Sequence, residues 1–195
     1  MEIAIIWGIA LALYLIFYIW YVGFNRPVSH QEINEMETFL KGQGYSENDT
    51  NIMCNFLKKD DGKEFVMVNF LEIKQPKAQS IINLKTYSKS FLGKLIKMAG
   101  HPVLMGSVAG GYLDKVNMGD DNWHSVFLVR YRCRRDFLRI MHLAVGKEHD
   151  FKLKALDKTF AQPITLQVNL FSVKNMVLLT MALIASISHI IYLSF

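Results

Sequence analysis

The sequence predicts an α+β protein in which a small domain built on a four-stranded sheet lies between two apolar terminal helices. Two observations carry this prediction. Residues 3–24 and 176–195 contain no Asp, Glu, Lys or Arg, and a helix of about 20 apolar residues spans a bilayer. Between them, segments with the periods of strands and helices alternate over a length that suits one compact core.

Both terminal segments are predicted to be transmembrane helices. The first lacks the basic start and small-residue cleavage site of a signal peptide, and residues 17–21 form an aromatic run typical of the bilayer interface. The second carries His189, which we expect at the headgroups. It also carries small and hydroxyl residues that allow another helix to approach closely: Thr180, Ala182, Ala185, Ser186 and Ser188.

The basic residues predict the orientation. All 22 Lys and Arg lie between the two spans, so the middle domain should be cytoplasmic and both termini should face the opposite side. Arg26 and Lys174 flank the spans and are expected to contact lipid or anions. The net charge of +5 suits a domain resting on anionic lipid, although an ordinary solvated surface has the same composition.

Two short helices are predicted ahead of the sheet, at residues 30–41 and 46–57. Ser29 followed by Glu32 is a capping box, in which each residue satisfies a backbone N–H of the other. Residues 60–63 then form a turn, because Gly62 supplies the positive φ that such turns need.

The remaining elements follow the order β-α-β-β-α-β. Apolar and β-branched runs predict the strands, whereas the 3.6-residue period predicts the helices. The strands are placed at 65–73, 102–113, 123–132 and 164–170, the helices at 80–99 and 136–156, and a turn at 118–122.

This order is that of the ferredoxin-like fold. Right-handed crossovers put the first and third strands in the centre and both helices on one face. Since the strands are apolar on both faces, the second face must also be covered, most simply by another copy of the chain. We therefore divide the chain into a transmembrane helix (1–25), a linker with short helices (26–62), a ferredoxin-like domain (63–171) and a second transmembrane helix (172–195).

Several classes of function lack support. Cys54 and Cys133 match neither a metal-binding spacing nor a disulfide framework, and no phosphate-binding loop, nucleophile elbow or pair of catalytic carboxylates is found. We therefore expect no metal, cofactor or catalytic residue. Nucleic acid is not an expected partner, because the chain has no stacking motif and no basic helix.

Four stretches of the middle domain resemble the DUF1330-like branch of the dimeric α/β-barrel superfamily. The resemblance extends over residues 30–168. The four stretches, in the order of the family, are 60–69, 99–103, 128–137 and 152–159. The sequence departs from the family pattern where Trp123-His124 stands in place of a Trp-Asp pair and where Cys133 stands in place of Ser. Carboxylate chemistry is therefore not carried over to this chain.

The resemblance implies a pocket between sheet and helices, because the superfamily includes cofactor-free monooxygenases, isomerases and heme-binding enzymes. The candidate pocket residues are Asn69, His101, Trp123, His124 and Arg130. A buried amide needs hydrogen-bond partners and can create a polar point in an apolar cavity. The alternative is structural, with Asn69 bonded to neighbouring backbone or to the His101 ring.

Two further groups are expected to be structural. His142 and His149 are seven residues apart, but zinc sites usually need three or four ligands, so this pair is expected on the surface. The arginines between 130 and 139 are expected to form ion pairs with Asp136, Glu148 and Asp150, or to attract phosphate or acidic lipid.

The leading functional hypothesis is an accessory or structural subunit of a membrane assembly, which binds lipid and forms a homodimer or docks on other membrane subunits. The alternative is a membrane-bound enzyme or carrier for a hydrophobic small molecule such as a quinone, a fatty acid derivative or heme. An open cavity lined by Asn69, His101 and Arg130 would favour the second hypothesis. A cavity filled by Phe65, Met67, Phe127 and Tyr131 would eliminate it.

Overall fold

The computed structural model describes residues 2–117, 119, 122–144, 147–169 and 172–194, without the side chains of 143, 144, 147 and 148. The chain forms two compact units. One contains Met1–Phe24 and Leu166–Phe195, and the other is Asn25–Thr165. The turn predicted at 118–122 falls largely outside the described residues.

The described residues form seven helices. They correspond to the predicted helices, except that the helix predicted at 136–156 is two helices. In chain order they are α1 Glu2–Val22, α2 His30–Gly42, α3 Glu47–Lys58, α4 Lys77–Lys97, α5 Arg134–Ala144, α6 Lys147–Ala155 and α7 Val173–Leu193.

The sheet confirms the ferredoxin-like order. Its strands are β1 Phe65–Ile73, β2 His101–Ser107, β3 Ser125–Tyr131 and β4 Leu156–Ile164. They are arranged β2-β3-β1-β4, and every neighbouring pair is antiparallel. The first and third strands therefore occupy the centre, as the crossover rule predicts.

The fourth strand begins earlier than predicted. β4 is Leu156–Ile164 rather than 164–170, and the predicted helix 136–156 is instead the two helices α5 and α6. Tertiary pairing decides the strand: Phe160 lies opposite Phe70 of β1, and Leu156 packs with Leu71 in a small buried cluster. The sequence did not predict this strand, because the segment is rich in polar residues and the side chains on its outward side are not regularly apolar.

The second strand is shorter than predicted, ending at Ser107 rather than at residue 113. Ser107 pairs with Ser125, the first residue of β3. A strand persists only where its backbone groups have a partner, so β2 ends where β3 begins.

The core of this unit is continuous from the sheet to the first two helices. One cluster joins Phe65, Val129 and Ile140 between the sheet and the helices on one face. A second joins α2 and α3 to Leu138 of α5, and Met53 packs against both clusters. The two short helices predicted within residues 26–62 therefore contribute to the core of the same compact unit.

The opposite face of the sheet, here called the outer face, is apolar. Alternation along the strands puts Val68, Phe70 and Leu128 on it, and all three are half-buried. Leu104 and Phe160 on the flanking strands are 49% and 44% exposed.

The helices α1 and α7 are each long and apolar enough to cross a membrane. They lie against each other, and the Trp7 indole N–H points to His189 Nδ1 at 3.5 Å. Ala185 is buried, in agreement with the close approach expected from small residues. The less exposed positions of α1 recur at helical spacing: Ile3, Ile6, Ala10, Tyr14, Phe17 and Tyr21.

Candidate functional site

A cavity of about 560 Å³ lies between the sheet and the helices of the Asn25–Thr165 unit, and its lining is mostly apolar. Pockets that hold small molecules fall in the range of about 300–1,000 Å³ and are mostly apolar with a few polar groups. The size and composition of this cavity therefore match those of a small-molecule site.

The sheet supplies the floor through its two central strands. Met67, Asn69 and Leu71 of β1 line the cavity, and Phe127 and Val129 of β3 lie beside them. These positions differ by two within each strand, so their side chains project from the same face. Because the side-chain period is two, the apolar run of β1 supplies both this floor and the outer face.

The helices supply the opposite wall. Leu84, Ser88 and Phe91 of α4 contribute one side of it, and Met53 of α3 and Ile140 of α5 contribute others. The α4 residues recur at intervals of three and four, which puts them on one helical face. That face includes the hydroxyl of Ser88 and is therefore not wholly apolar.

Four methionines line the cavity, each on a different element: Met53 on α3, Met67 on β1, Met105 on β2 and Met141 on α5. Methionine is unbranched and polarisable, so it adapts to ligands of different shape. The scattered spacing of methionines along the chain predicted core filling. Their convergence on one cavity depends on tertiary structure.

Asn69 is the predicted candidate that reaches the cavity. Its amide nitrogen donates to the carbonyl oxygens of Met67 at 3.1 Å and of Phe127 at 3.2 Å. Because both partners can only accept, the amide orientation is determined. The backbone bonds expected as the structural alternative are present, and they leave the Asn69 Oδ1 as an acceptor for another group.

Lys152 and His149 bring ionisable groups to the cavity wall from α6. They are three residues apart and share a helical face. Burial lowers the pKa of Lys152, and burial together with the nearby Lys152 charge lowers the pKa of His149. Both His142 and His149 were expected on the surface. His142 is exposed, and its ring packs on Phe39 with centroids 4.6 Å apart, whereas His149 is half-buried at the cavity wall.

Tyr131 closes one part of the floor with a neutral hydroxyl. Burial raises its pKa, and the neighbouring Tyr87 acts in the same direction. Its ring stacks on Phe65 with centroids 5.1 Å apart. The site therefore holds a phenol that stays protonated.

His124 and Trp123 take structural contacts instead of lining the cavity. His124 Nδ1 accepts the Ile73 backbone N–H at 3.2 Å. Trp123 packs edge-on against Phe70 at 5.7 Å, and the Lys158 ammonium lies 5.0 Å from the centre of its ring. Both residues therefore stabilise the contact between β1 and the segment that leads into β3.

Arg130 and His101 lie opposite each other on β3 and β2, also away from the cavity lining. Arg130 is only 3% exposed, and its guanidinium donates to Glu64 at 2.6 Å and to the Ala99 carbonyl at 2.6 Å. His101 Nδ1 lies 2.8 Å from the Pro102 carbonyl, which requires a proton on that nitrogen. The sequence grouped these residues with Asn69, but the pleat directs Arg130 and Asn69 to opposite faces.

The other charged candidates are dispersed. Arg132 and Arg139 pair with the buried Asp136 at 2.7 and 3.3 Å, as expected, whereas the Glu148 side chain lies outside the described part. Arg26 is exposed. Lys174 lies in the first turn of α7. Within the described residues, no three His, Cys, Asp or Glu side chains are grouped to hold a metal ion.

Comparison with known proteins shows a likeness to solved structures, among them two of the same protein. A crystal structure of RPA0582, a protein of unknown function from Rhodopseudomonas palustris, has a TM-score of 0.48 and 13% identity, covering 61% of this chain and 94% of that one. The methylated RPA0582 protein has a TM-score of 0.49 and 13% identity, with coverages of 62% and 93%. No protein-family model and no curated protein matches the chain.

Sequence reasoning missed most of the polar lining. Lys152 was not among the candidate site residues, because the segment that forms α6 has no clear apolar stripe in sequence. Its position against α4 is what turns Lys152 toward the cavity. The available sequence signal was the spacing of three residues from His149 to Lys152 and from Lys152 to Ala155, which puts them on neighbouring positions of one helical face.

Proposed function

We propose that this protein is a membrane-anchored binding protein for a hydrophobic small molecule, held between the sheet and the helices. The observation that carries the proposal is the cavity of about 560 Å³. Protein interiors normally contain few voids larger than a water molecule. A space of this size leaves its apolar lining exposed to water, since lining residues such as Ile52 and Met105 are 61% and 60% exposed. An apolar ligand would remove that surface from water.

The gain available from such a ligand is large enough for binding. Each buried CH₂ group contributes about 0.8 kcal/mol, so an alkyl chain of about ten carbons would contribute about 8 kcal/mol. This lies within the range of about 4–15 kcal/mol for the loss of rotational and translational freedom on binding. The four methionines allow the lining to follow a flexible chain. A non-polar occupant is therefore favoured over a polar metabolite.

The membrane part of the proposal is supported by α1 and α7, both long and apolar enough to span. Hydrophobic ligands concentrate in lipid, so anchoring would keep the binding domain near its ligand. Following the distribution of Lys and Arg, we propose a cytoplasmic domain with both termini on the opposite side. Membership in the DUF1330-like branch belongs to the same proposal and is supported by the four resembling stretches.

Filling the cavity tests the binding function. The full chain in lipid nanodiscs is titrated with a fluorescent alkyl probe, and empty nanodiscs correct for partition into lipid. Ser88→Trp puts an indole in the cavity and should weaken binding at least tenfold. Lys89→Trp, at the adjacent exposed position of α4, is the matched control and should bind like the unmodified chain. Binding no greater than to empty nanodiscs, or equal binding by both variants, would refute the proposal.

A second function, self-association, is favoured by the outer face of the sheet. Leu104 and Phe160 are exposed there beside half-buried Val68 and Leu128, and contiguous apolar patches of this kind mark interaction sites. The proposed occupant is the same face of another copy, which would close the two sheets into a barrel. In this form, the subunit hypothesis proposes that the protein is a subunit of a homodimer.

Native mass spectrometry of the full chain released from nanodiscs tests self-association. The unmodified chain should be a dimer, and Leu104→Lys combined with Phe160→Lys should make it monomeric because both lysines would be buried at the interface. Ile96→Lys replaces an exposed apolar residue of α4 and should leave the dimer intact. A monomeric unmodified chain would reject this second function and leave the cavity proposal standing.

A further inference from the structure

We propose that the ligand of the cavity is a long-chain carboxylate whose head pairs with Lys152 while its alkyl chain lies among the methionines and aromatic rings. This inference rests on the proposed binding function and adds the chemical class of the ligand.

The position of Lys152 is the first step. It lines the cavity from α6, and in the described part of the chain no carboxylate forms an ion pair with it. Asp49 is the carboxylate among the described lining residues, and it accepts the Ser46 hydroxyl at 2.6 Å at the start of α3. Lys152 therefore lies at the cavity wall without an ion pair to any described carboxylate, and Asp49, on a different helix, is the carboxylate of the described lining.

The cost of that arrangement is the second step. A partly buried ammonium loses hydration, and proteins usually recover this loss by pairing the charge. Burial is the cause of the lowered pKa of Lys152, which is the signature expected when no anion offsets desolvation. A bound carboxylate would restore the missing interaction and raise that pKa again.

The other polar groups support the choice of Lys152 for the head. The Asn69 N–H groups are both used by carbonyl oxygens, so Asn69 presents an acceptor, which cannot bind an anion. His149 lies one turn from Lys152 on α6 and can donate a second hydrogen bond to the same head. The part of the cavity floor between Asn69 and Phe127 is then available to the alkyl chain of the ligand.

A cationic head is disfavoured by the same geometry. An amine would face the Lys152 charge across a partly desolvated space, where like charges repel more strongly than in water. An alcohol of the same chain length would keep the apolar contacts but lose the ion pair. The three head groups therefore predict an order of affinity: carboxylate, alcohol, amine.

Equilibrium dialysis of the full chain in nanodiscs tests this order with radiolabelled dodecanoate, competed by dodecanol and dodecylamine, and with empty nanodiscs as the blank. Dodecanoate should bind at least tenfold more tightly than dodecanol, and dodecylamine should bind least. Lys152→Met keeps the length and apolar volume of the side chain, so it should remove the preference for carboxylate without changing dodecanol binding. Lys154→Met, at an exposed position of the same helix, should behave like the unmodified chain.

The outcomes separate the two proposals. Equal binding of dodecanoate and dodecanol by the unmodified chain would overturn the carboxylate assignment while supporting the cavity as a binding site. A carboxylate preference that survives Lys152→Met would also overturn it. If no amphiphile binds beyond the empty nanodiscs, the binding function itself fails. Equal loss of both ligands in Lys152→Met, with an unchanged circular dichroism spectrum, would also overturn the ion-pair assignment.

Discussion

Arg130 connects three separate segments of the chain through a single buried guanidinium. It lies on β3, pairs with Glu64 just before β1, and donates to Ala99 just after α4. Removing one partner of a buried pair typically costs about 3–5 kcal/mol, because the other charge is left without compensation. Arg130 is therefore a structural residue of this domain, and its rigidity helps to hold the strands that form the cavity floor.

Gly100 lies under the same arginine and gives a prediction for a single residue. A Cβ at this position would lie 2.9 Å from the Arg130 carbonyl oxygen and would also meet Leu95. The positive φ at this helix end belongs to Ala99, at 55°, so Gly100 is needed for space rather than for backbone conformation. Gly100→Ala should lower the free energy of unfolding by about 1–3 kcal/mol, the cost of overpacking.

Gly93→Ala is the matched control for that substitution. Gly93 lies within α4, about one turn before its end, and nothing lies within 4 Å of the position its Cβ would take. Alanine should stabilise the helix there by about 0.5–1 kcal/mol. Urea unfolding of the full chain in nanodiscs, followed by fluorescence, would measure both changes. A Gly100→Ala variant as stable as the unmodified chain would contradict the close contact.

At the scale of elements, the start of α2 shows how local sequence and tertiary contact reinforce each other. The Ser29 hydroxyl accepts the Glu32 N–H at 3.3 Å, and the Glu32 carboxylate accepts the Ser29 N–H at 2.8 Å. The same carboxylate pairs with Arg135 of α5 at 2.9 Å. The capping box was predictable from four consecutive residues, whereas its connection to α5 was not.

Ser29→Ala should cost about 1 kcal/mol of stability, because it removes the acceptor for an N–H at the helix start. Thr38→Ala, at an exposed position within α2, should change stability by less than about 0.5 kcal/mol. Urea midpoints at neutral pH would compare the two variants. Equal midpoints for Ser29→Ala and the unmodified chain would mean that the cap makes no net contribution.

Glu32 also makes part of the stability dependent on pH. Burial acts to raise the pKa of Glu32, but hydrogen bonds from Ser29 and Arg135 outweigh it and lower the pKa. A carboxyl with a lowered folded-state pKa contributes stability above its unfolded value, and this contribution is lost as the pH falls through the folded value. Glu32→Gln should therefore reduce the loss of stability on acidification, as measured by urea midpoints from neutral to acidic pH.

At the scale of the whole molecule, the chain consists of a helix pair from its two ends and a single α+β unit between them. The buried thiols allow the topology to be tested directly. Cys54 and Cys133 are 4% and 1% exposed, and burial raises the pKa of both. Since the thiolate is the reactive form, neither should be labelled in the folded protein.

A cysteine placed before Met1 or after Phe195 should therefore report its own location. With an impermeant thiol reagent applied to intact cells, both terminal cysteines should be labelled, and Lys63→Cys in the exposed turn before β1 should be labelled only after permeabilisation. This follows from an even number of spans and from the basic middle segment. Labelling of the termini only after permeabilisation would invert the proposed orientation.

Much of this fold follows from local pattern. The capping box identified α2, the 3.6-residue period identified α4, and apolar and β-branched runs identified β1 and β3. The order of the elements was enough to place β1 and β3 in the centre, because crossover handedness leaves few alternatives. β4 escaped this reasoning, since an edge strand with one polar face has a weak period of its own and depends on pairing with β1. The split between α5 and α6 escaped it as well.

The sequence by itself determined the α+β class, the apolar terminal helices and Asn69 as a polar point in the central strand, because each depends on neighbours along the chain. Only the tertiary structure decided that Arg130 turns away from Asn69, and that Lys152, His149 and four methionines on separate elements meet around one cavity. The physical reason is that a cavity is defined by side chains distant in sequence, and no local period records which of them face each other.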